Sequence, residues 1–139
     1  MKLTYDKDNL IARRRTPLSD ENGNLFCWGI YDFAFKYRTR IFSNEDIEIA
    51  YIERNIAKEN EPIEFFDPLG NKEDALIVKD GKIYLEKEGS FYEGDLEKGE
   101  ILGLLKIDHD VIEIINEEKA LKAIEVLFSL AEMERAEQK

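Results

Sequence analysis

The chain has 139 residues, of which 43% are hydrophobic, 11% aromatic and 37% charged, with a formal net charge of −11. That is enough for one domain, residues 1–139, with a substantial core, and 3 prolines with 8 glycines exclude collagen-like and low-complexity classes. Residues 1–40 hold 8 Lys or Arg against 5 Asp or Glu while the rest holds 12 against 26, which disfavours nucleic acid and anionic membrane over most of the surface and places any anion site in the N-terminal third.

In chain order, Leu10–Arg15 reads as a short extended segment closed by Thr16-Pro17, and Ser19 to Asn24 reads as a turn in which Asn22-Gly23 tolerates positive φ. Asn24–Tyr31 and Phe33–Phe42 follow as strands. The second alternates cleanly, with Phe33, Phe35, Tyr37, Thr39 and Ile41 on one face and Ala34, Lys36, Arg38, Arg40 and Phe42 on the other. Ile47–Ile56 reads as its β-branched hairpin partner, with a helix over Glu45–Lys58 as the alternative. Ile63–Phe66 is a short strand, and Asp67-Pro68-Leu69-Gly70-Asn71 is a turn. Ala75–Lys79 and Lys82–Lys87 flank Asp80-Gly81, a two-residue hairpin signature. Gly89, Gly94 and Gly99 space out Ser90–Glu93 and Glu100–Ile107, and Val111–Ile115 is the last strand.

The one helix spans about 117–134. Asn116 is its N-cap, and Glu117 and Glu118 complement the positive end of its dipole. At about 100° per residue, Lys122, Glu125, Ser129 and Glu132 fall on one stripe roughly 80° wide, and every other side chain from Ala120 to Met133 is apolar. A helix apolar nearly all round is buried on most sides. The apolar stretch Ala120–Ala131 rises about 18 Å, near the height of a barrel of five- to six-residue strands. The expected fold is therefore mainly β with one C-terminal helix, an antiparallel closed barrel of about 10–12 strands wrapped around a buried central helix.

Three features carry a family resemblance: Asp20-Glu21-Asn22-Gly23-Asn24 before an aromatic strand, the segment IEIAYIERNI from Ile47 to Ile56, and DHDVIEIIN from Asp108 to Asn116 before an aliphatic helix. In these the chain resembles the tubby C-terminal-like superfamily, in particular the bacterial LURP-one-related proteins. The resemblance implies a barrel of about a dozen antiparallel strands around a C-terminal helix, in a superfamily that includes phosphoinositide-binding domains and phospholipid scramblases. The positions that bind phosphoinositides do not map residue by residue, and the calcium segment and membrane anchor of scramblases have no counterpart.

The concentrations of positive charge are Arg13-Arg14-Arg15 and the ladder Lys36, Arg38, Arg40. Arg13, Arg15, Lys36, Arg38 and Arg40 are the candidate ligand-binding residues, suited to a phosphate or phospholipid head group by arginine's bidentate geometry. Pairing with Glu48, Glu53 and other strand carboxylates is the competing arrangement. His109, between Asp108 and Asp110, reads as a surface turn residue, and the Asp108, Asp110, Glu113 run lacks the glycine and terminal bidentate carboxylate of a calcium loop. There is no nucleophile elbow, phosphate loop, dinucleotide fingerprint or paired His or Cys spacing. No catalytic residue, metal or cofactor is assigned. Cys27 reads as a buried structural thiol in a reducing compartment. No apolar run approaches the ~20 residues of a membrane span and the N-terminus lacks a secretory core, so a cytoplasmic setting is expected. The function expected is a soluble, non-enzymatic binding protein for a small anionic or apolar ligand; the alternative is an acidic interaction module, a regulator or immunity-type protein, for a basic partner.

Overall fold

The fold is known from a computed structural model, which describes residues 1–6, 8–9, 14–33, 36–54, 62–79, 82–87, 90–95, 100–101 and 103–137. Period-two alternation dominates the sequence, and strands dominate the structure. Among the described residues these are β1 (Lys2–Thr4), β2 (Thr16–Ser19), β3 (Leu25–Phe33), β4 (Tyr37–Ser43), β5 (Glu48–Arg54), β6 (Ile63–Phe66), β7 (Lys72–Lys79), β8 (Lys82–Lys87), β9 (Ser90–Asp95), β10 (Glu100–Ile101), β11 (Leu105–Asp108) and β12 (Val111–Ile114). A 3-10 turn, Glu117–Lys119, leads into the helix α1, Ala120–Glu137. Asn116 caps that turn through a bond accepted from the Glu118 amide.

Every pairing is antiparallel, in the order β1-β12-β11-β10-β9-β8-β7-β6-β5-β4-β3-β2. β1 is bonded on both sides, to β12 from Lys2–Glu113 to Thr4–Val111 and to β2 at Thr4–Ser19.

Four sequence expectations need correction. Thr16-Pro17 does not close an extended segment but opens β2; β2 meets β1 at one register pair only, and a proline is tolerated on a strand with one scarcely paired side. Phe33–Phe42 is not one strand, because Phe33 pairs antiparallel with Tyr37 and the chain direction reverses between them. The even spacing of that pair lets the alternation run unbroken through the reversal. Likewise Glu100–Ile107 divides into β10 and β11, with Gly103 at φ 72 between them. The helical alternative from Glu45 gives way to β5. Residues 10–13 of the first extended segment and the Asp80-Gly81 turn lie outside the described residues, although Lys79 pairs with Lys82 as a two-residue connection requires.

Three connections share one construction. In Asp20–Asn24, Ser43–Ile47 and Asp67–Asn71, the first side-chain oxygen accepts bonds from the amides two and four residues on. The fourth residue takes a positive φ: 80 at Gly23, 61 at Asp46 and 91 at Gly70. The ladder register slips beside each loop, between Leu18 and Ser19, Ile41 and Phe42, and Phe65 and Phe66. Such bulges tighten the local twist. Because strand direction alternates, these three loops, the end of β12 and the start of α1 share one end of the sheet. The β3–β4 and β11–β12 turns lie at the other.

Inward side chains come from β1, β2, β4–β8, β11 and β12: Leu3, Leu18, Ile41, Ile52, Phe65, Leu76, Ile83, Leu85, Leu105 and Ile112 are at most 1% exposed, as are Ala123, Ile124, Val126, Leu127 and Phe128 of α1. Gly29 on β3 makes room for the Phe128 ring, since a Cβ there would lie 2.5 Å from its Cζ. The polar stripe of α1 is not its wet side. Glu125, Ser129 and Glu132 are buried, whereas Leu121 is exposed.

Candidate functional site

Strand parity places the basic ladder on the outer face of β3–β6 and interleaves it with aromatic rings. Trp28 pairs in register with Phe42, and their rings stack at 4.3 Å; Tyr51 pairs with Phe66, and these stack at 5.0 Å. Onto these platforms the arginines fold. Arg15 lies 4.1 Å over Trp28, Arg40 5.3 Å from Phe42 and Arg38 4.9 Å over Tyr51. Each contact adds a cation–π attraction of ~0.5–1 kcal/mol at an exposed site and fixes the guanidinium plane.

Carboxylates then fix each head. Arg15 and the Trp28 indole N–H both donate to Asp46 Oδ1, at 3.2 and 2.8 Å. Arg40 grips Glu48 with two bonds, Nε to Oε1 at 3.3 Å and Nη2 to Oε2 at 2.9 Å. The bond to Glu48, only partly opposed by desolvation, holds the Arg40 guanidinium above its ordinary pKa. Arg38 Nε donates to Glu53 Oε1 at 2.8 Å and Lys36 reaches Glu53 Oε2 at 3.5 Å, so one largely buried carboxylate carries two cations. Of the five candidate residues, Arg15, Lys36, Arg38 and Arg40 therefore share a face, each beside a carboxylate. Arg13 lies outside the described residues.

Trp28, Phe42, Tyr51 and Phe66 complete this face and were not among the candidates. Phe42 shares the parity of Lys36, Arg38 and Arg40 in the sequence itself, and the pairing of Arg40 with Tyr51 adds the second ring once the β4–β5 register is known.

A second polar group lies inside. Arg54 donates to Glu132 Oε1 from Nε at 3.3 Å and Nη2 at 3.1 Å, and its guanidinium lies 4.5 Å over Tyr37. Lys122 donates to Asp74 Oδ2 at 2.7 Å. These pairs hold the two ends of α1 to β5 and β7. A period-two reading contains the clue, because Ala50, Ile52 and Arg54 alternate on one face and all three are buried.

Glu125 sits between these pairs along the polar stripe of α1. Burial pushes its carboxyl up to about 8; the Lys122 charge opposes the rise, and Asp74 and Glu73 add to it. The ordinary carboxyl ionises at 4.5, so the folded chain holds this proton more tightly than the unfolded chain. The resulting stability is complete below pH 4.5, declines as pH rises and is lost above about 8. In urea melts, Glu125→Gln is expected to flatten that decline, on the order of a few kcal/mol between the two limits. Equal pH dependence of both proteins would contradict this.

Elsewhere, His109 adopts φ 56 in the β11–β12 turn, with its side chain 93% exposed. It borders an open depression of about 390 Å³ with Tyr5, Asp6, Asp8 and Asp110. Among the described residues no cluster of three His, Cys, Asp or Glu is arranged to hold a metal ion. Among them also, no helix is long and apolar enough to cross a membrane. Cys27 is buried, which pushes its thiol up to about 12 and keeps it protonated. No known protein family, curated protein or solved structure matches the chain.

Proposed function

We propose that the chain is a non-enzymatic, cytoplasmic binding protein of tubby-like architecture, a closed barrel threaded by α1, whose outer β3–β6 face takes a small phosphate-bearing ligand such as a phospholipid head group. Two observations support the architecture: β1 bonds on both sides, and the α1 side chains from Ala123 to Ser129 are buried. The binding assignment rests on three arginines, each laid on an aromatic ring with a side chain 40–48% exposed. Arg40 commits two of its five donors to Glu48, and an exposed ion pair is worth only ~0–1 kcal/mol. The anionic phosphodiester of a head group, with two oxygens free to accept, therefore displaces Asp46 or Glu48 at small cost while the ring holds the guanidinium in place.

Glu53 serves differently. Its side chain is only 8% exposed, and it anchors Arg38 and Lys36; Arg38→Glu would set a second carboxylate against it. The cleaner test is Arg15→Gln with Arg40→Gln, whose partners are more exposed. The double variant is expected to melt within a few degrees of the parent, yet bind glycerophosphoserine and phosphatidylserine vesicles at least about tenfold more weakly. Unchanged affinity for both would remove the assignment.

A further inference from the structure

The end of the sheet formed by the loops Asp20–Asn24, Ser43–Ile47 and Asp67–Asn71 combines exposed apolar side chains with carboxylates. Leu69 is 89% exposed, Ile47 59%, Ile115 54% and Leu121 39%. Among the described residues, six large hydrophobics are exposed, and only Val78, near the end of β7, lies toward the opposite end. The apolar tips are not loose. The Ile47 and Leu69 amides donate to the side-chain oxygens of Ser43 and Asp67, which braces the backbone that carries these tips. The bonds from Asn71 and the loop amides keep the Asp67 carboxyl below its ordinary pKa, so the Leu69 loop stays braced by an ionised group.

Exposed carboxylates belong to the same loops and to the turn before α1, among them Glu45 and Glu118. An anionic membrane is repelled by these carboxylates, and a second copy of a chain with net charge −11 is repelled likewise. What complements apolar anchors accompanied by carboxylates is an apolar stripe flanked by cations. We propose that this end docks a basic amphipathic segment of a partner protein, with Ile47, Leu69 and Leu121 receiving its apolar face and Glu45 and Glu118 its Lys or Arg side chains. Anchors at the centre of such a contact supply affinity, and the charged rim supplies encounter rate and orientation. Ile47 lies between Asp46 and Glu48, the partners of Arg15 and Arg40, so this end adjoins the arginine face; the arginine variant and the loop variant tell the two readings apart.

The test uses the full chain and a synthetic Leu/Lys amphipathic helical peptide, with calorimetric titration at about 0.15 M salt. Ile47→Ser with Leu69→Ser is expected to weaken binding at least about tenfold, while Val78→Ser stays within about twofold of the parent. An oligolysine of equal charge is expected to bind at least about tenfold more weakly than the amphipathic peptide. Arg15→Gln with Arg40→Gln is expected to leave peptide affinity unreduced. The proposal is overturned if the loop variant binds the peptide like the parent, if Val78→Ser weakens it equally, or if oligolysine binds as well. Loss of binding to phosphatidylcholine vesicles, but not to peptide, in the loop variant would assign the tips to a membrane and also overturn it.

Discussion

Ile124→Asp is expected to leave no cooperative unfolding transition at neutral pH. Ile124 is 1% exposed on α1, among Ala123, Val126, Leu127 and Phe128, which the inward residues of the strands meet. An aspartate there loses the isoleucine contacts and puts a carboxylate where apolar surface surrounds it. The effective cost of burying one unpaired ion is several kcal/mol, to which the lost burial adds ~1.5–3 kcal/mol. A domain stabilised by ~5–15 kcal/mol has little margin against that sum. Circular dichroism melts check it, and a folded monomer with a melting temperature near that of the parent would refute the packing of α1 described above.

Arg54→Met is expected to cost ~3–5 kcal/mol, because it takes the bidentate Arg54 guanidinium from the buried Glu132 carboxylate. Both side chains are under 10% exposed, so water cannot take over the role of the guanidinium. The pair holds the far end of α1, and Asp74–Lys122 holds its start. Together they select one rotation of a helix whose apolar surface alone would allow several. Denaturant melts of Arg54→Met, Glu132→Leu and the double variant separate the penalty from the pair's net contribution. The double variant is expected to recover most of the loss, since apolar replacement of a buried pair is often neutral. A cost below about 1 kcal/mol for Arg54→Met would contradict the role given to the pair.

Much of this was legible from local chemistry. β6, β8, the Asn22-Gly23 turn and the Asn116 cap each follow from residues adjacent in sequence. The basic face of β4 was legible too, because Thr39 and Ile41 point inward and leave Arg38 and Arg40 outside. What was hidden depends on register between distant segments. Asp74 and Lys122 are 48 residues apart, and Arg54 and Glu132 are 78 apart. Nothing in a helical wheel distinguishes a polar stripe facing water from one facing buried partners on β5 and β7. The Phe33–Phe42 segment failed differently, since an even-spaced turn keeps the alternation that defines a strand. Trp28 joined the arginine face only through its pairing with Phe42.

The Arg15–Trp28–Arg40 cluster carries the functional reading, and the single tryptophan of the chain is built into it. Asp46 accepts from both the Trp28 indole and Arg15, so a phosphate that displaces Asp46 from Arg15 changes the surroundings of the ring. The decisive measurement is Trp28 emission during titration with glycerophosphoserine at constant ionic strength. A saturable change, absent in Arg15→Gln with Arg40→Gln, is the result predicted. Emission that stays flat, or drifts equally in parent and variant, would contradict it.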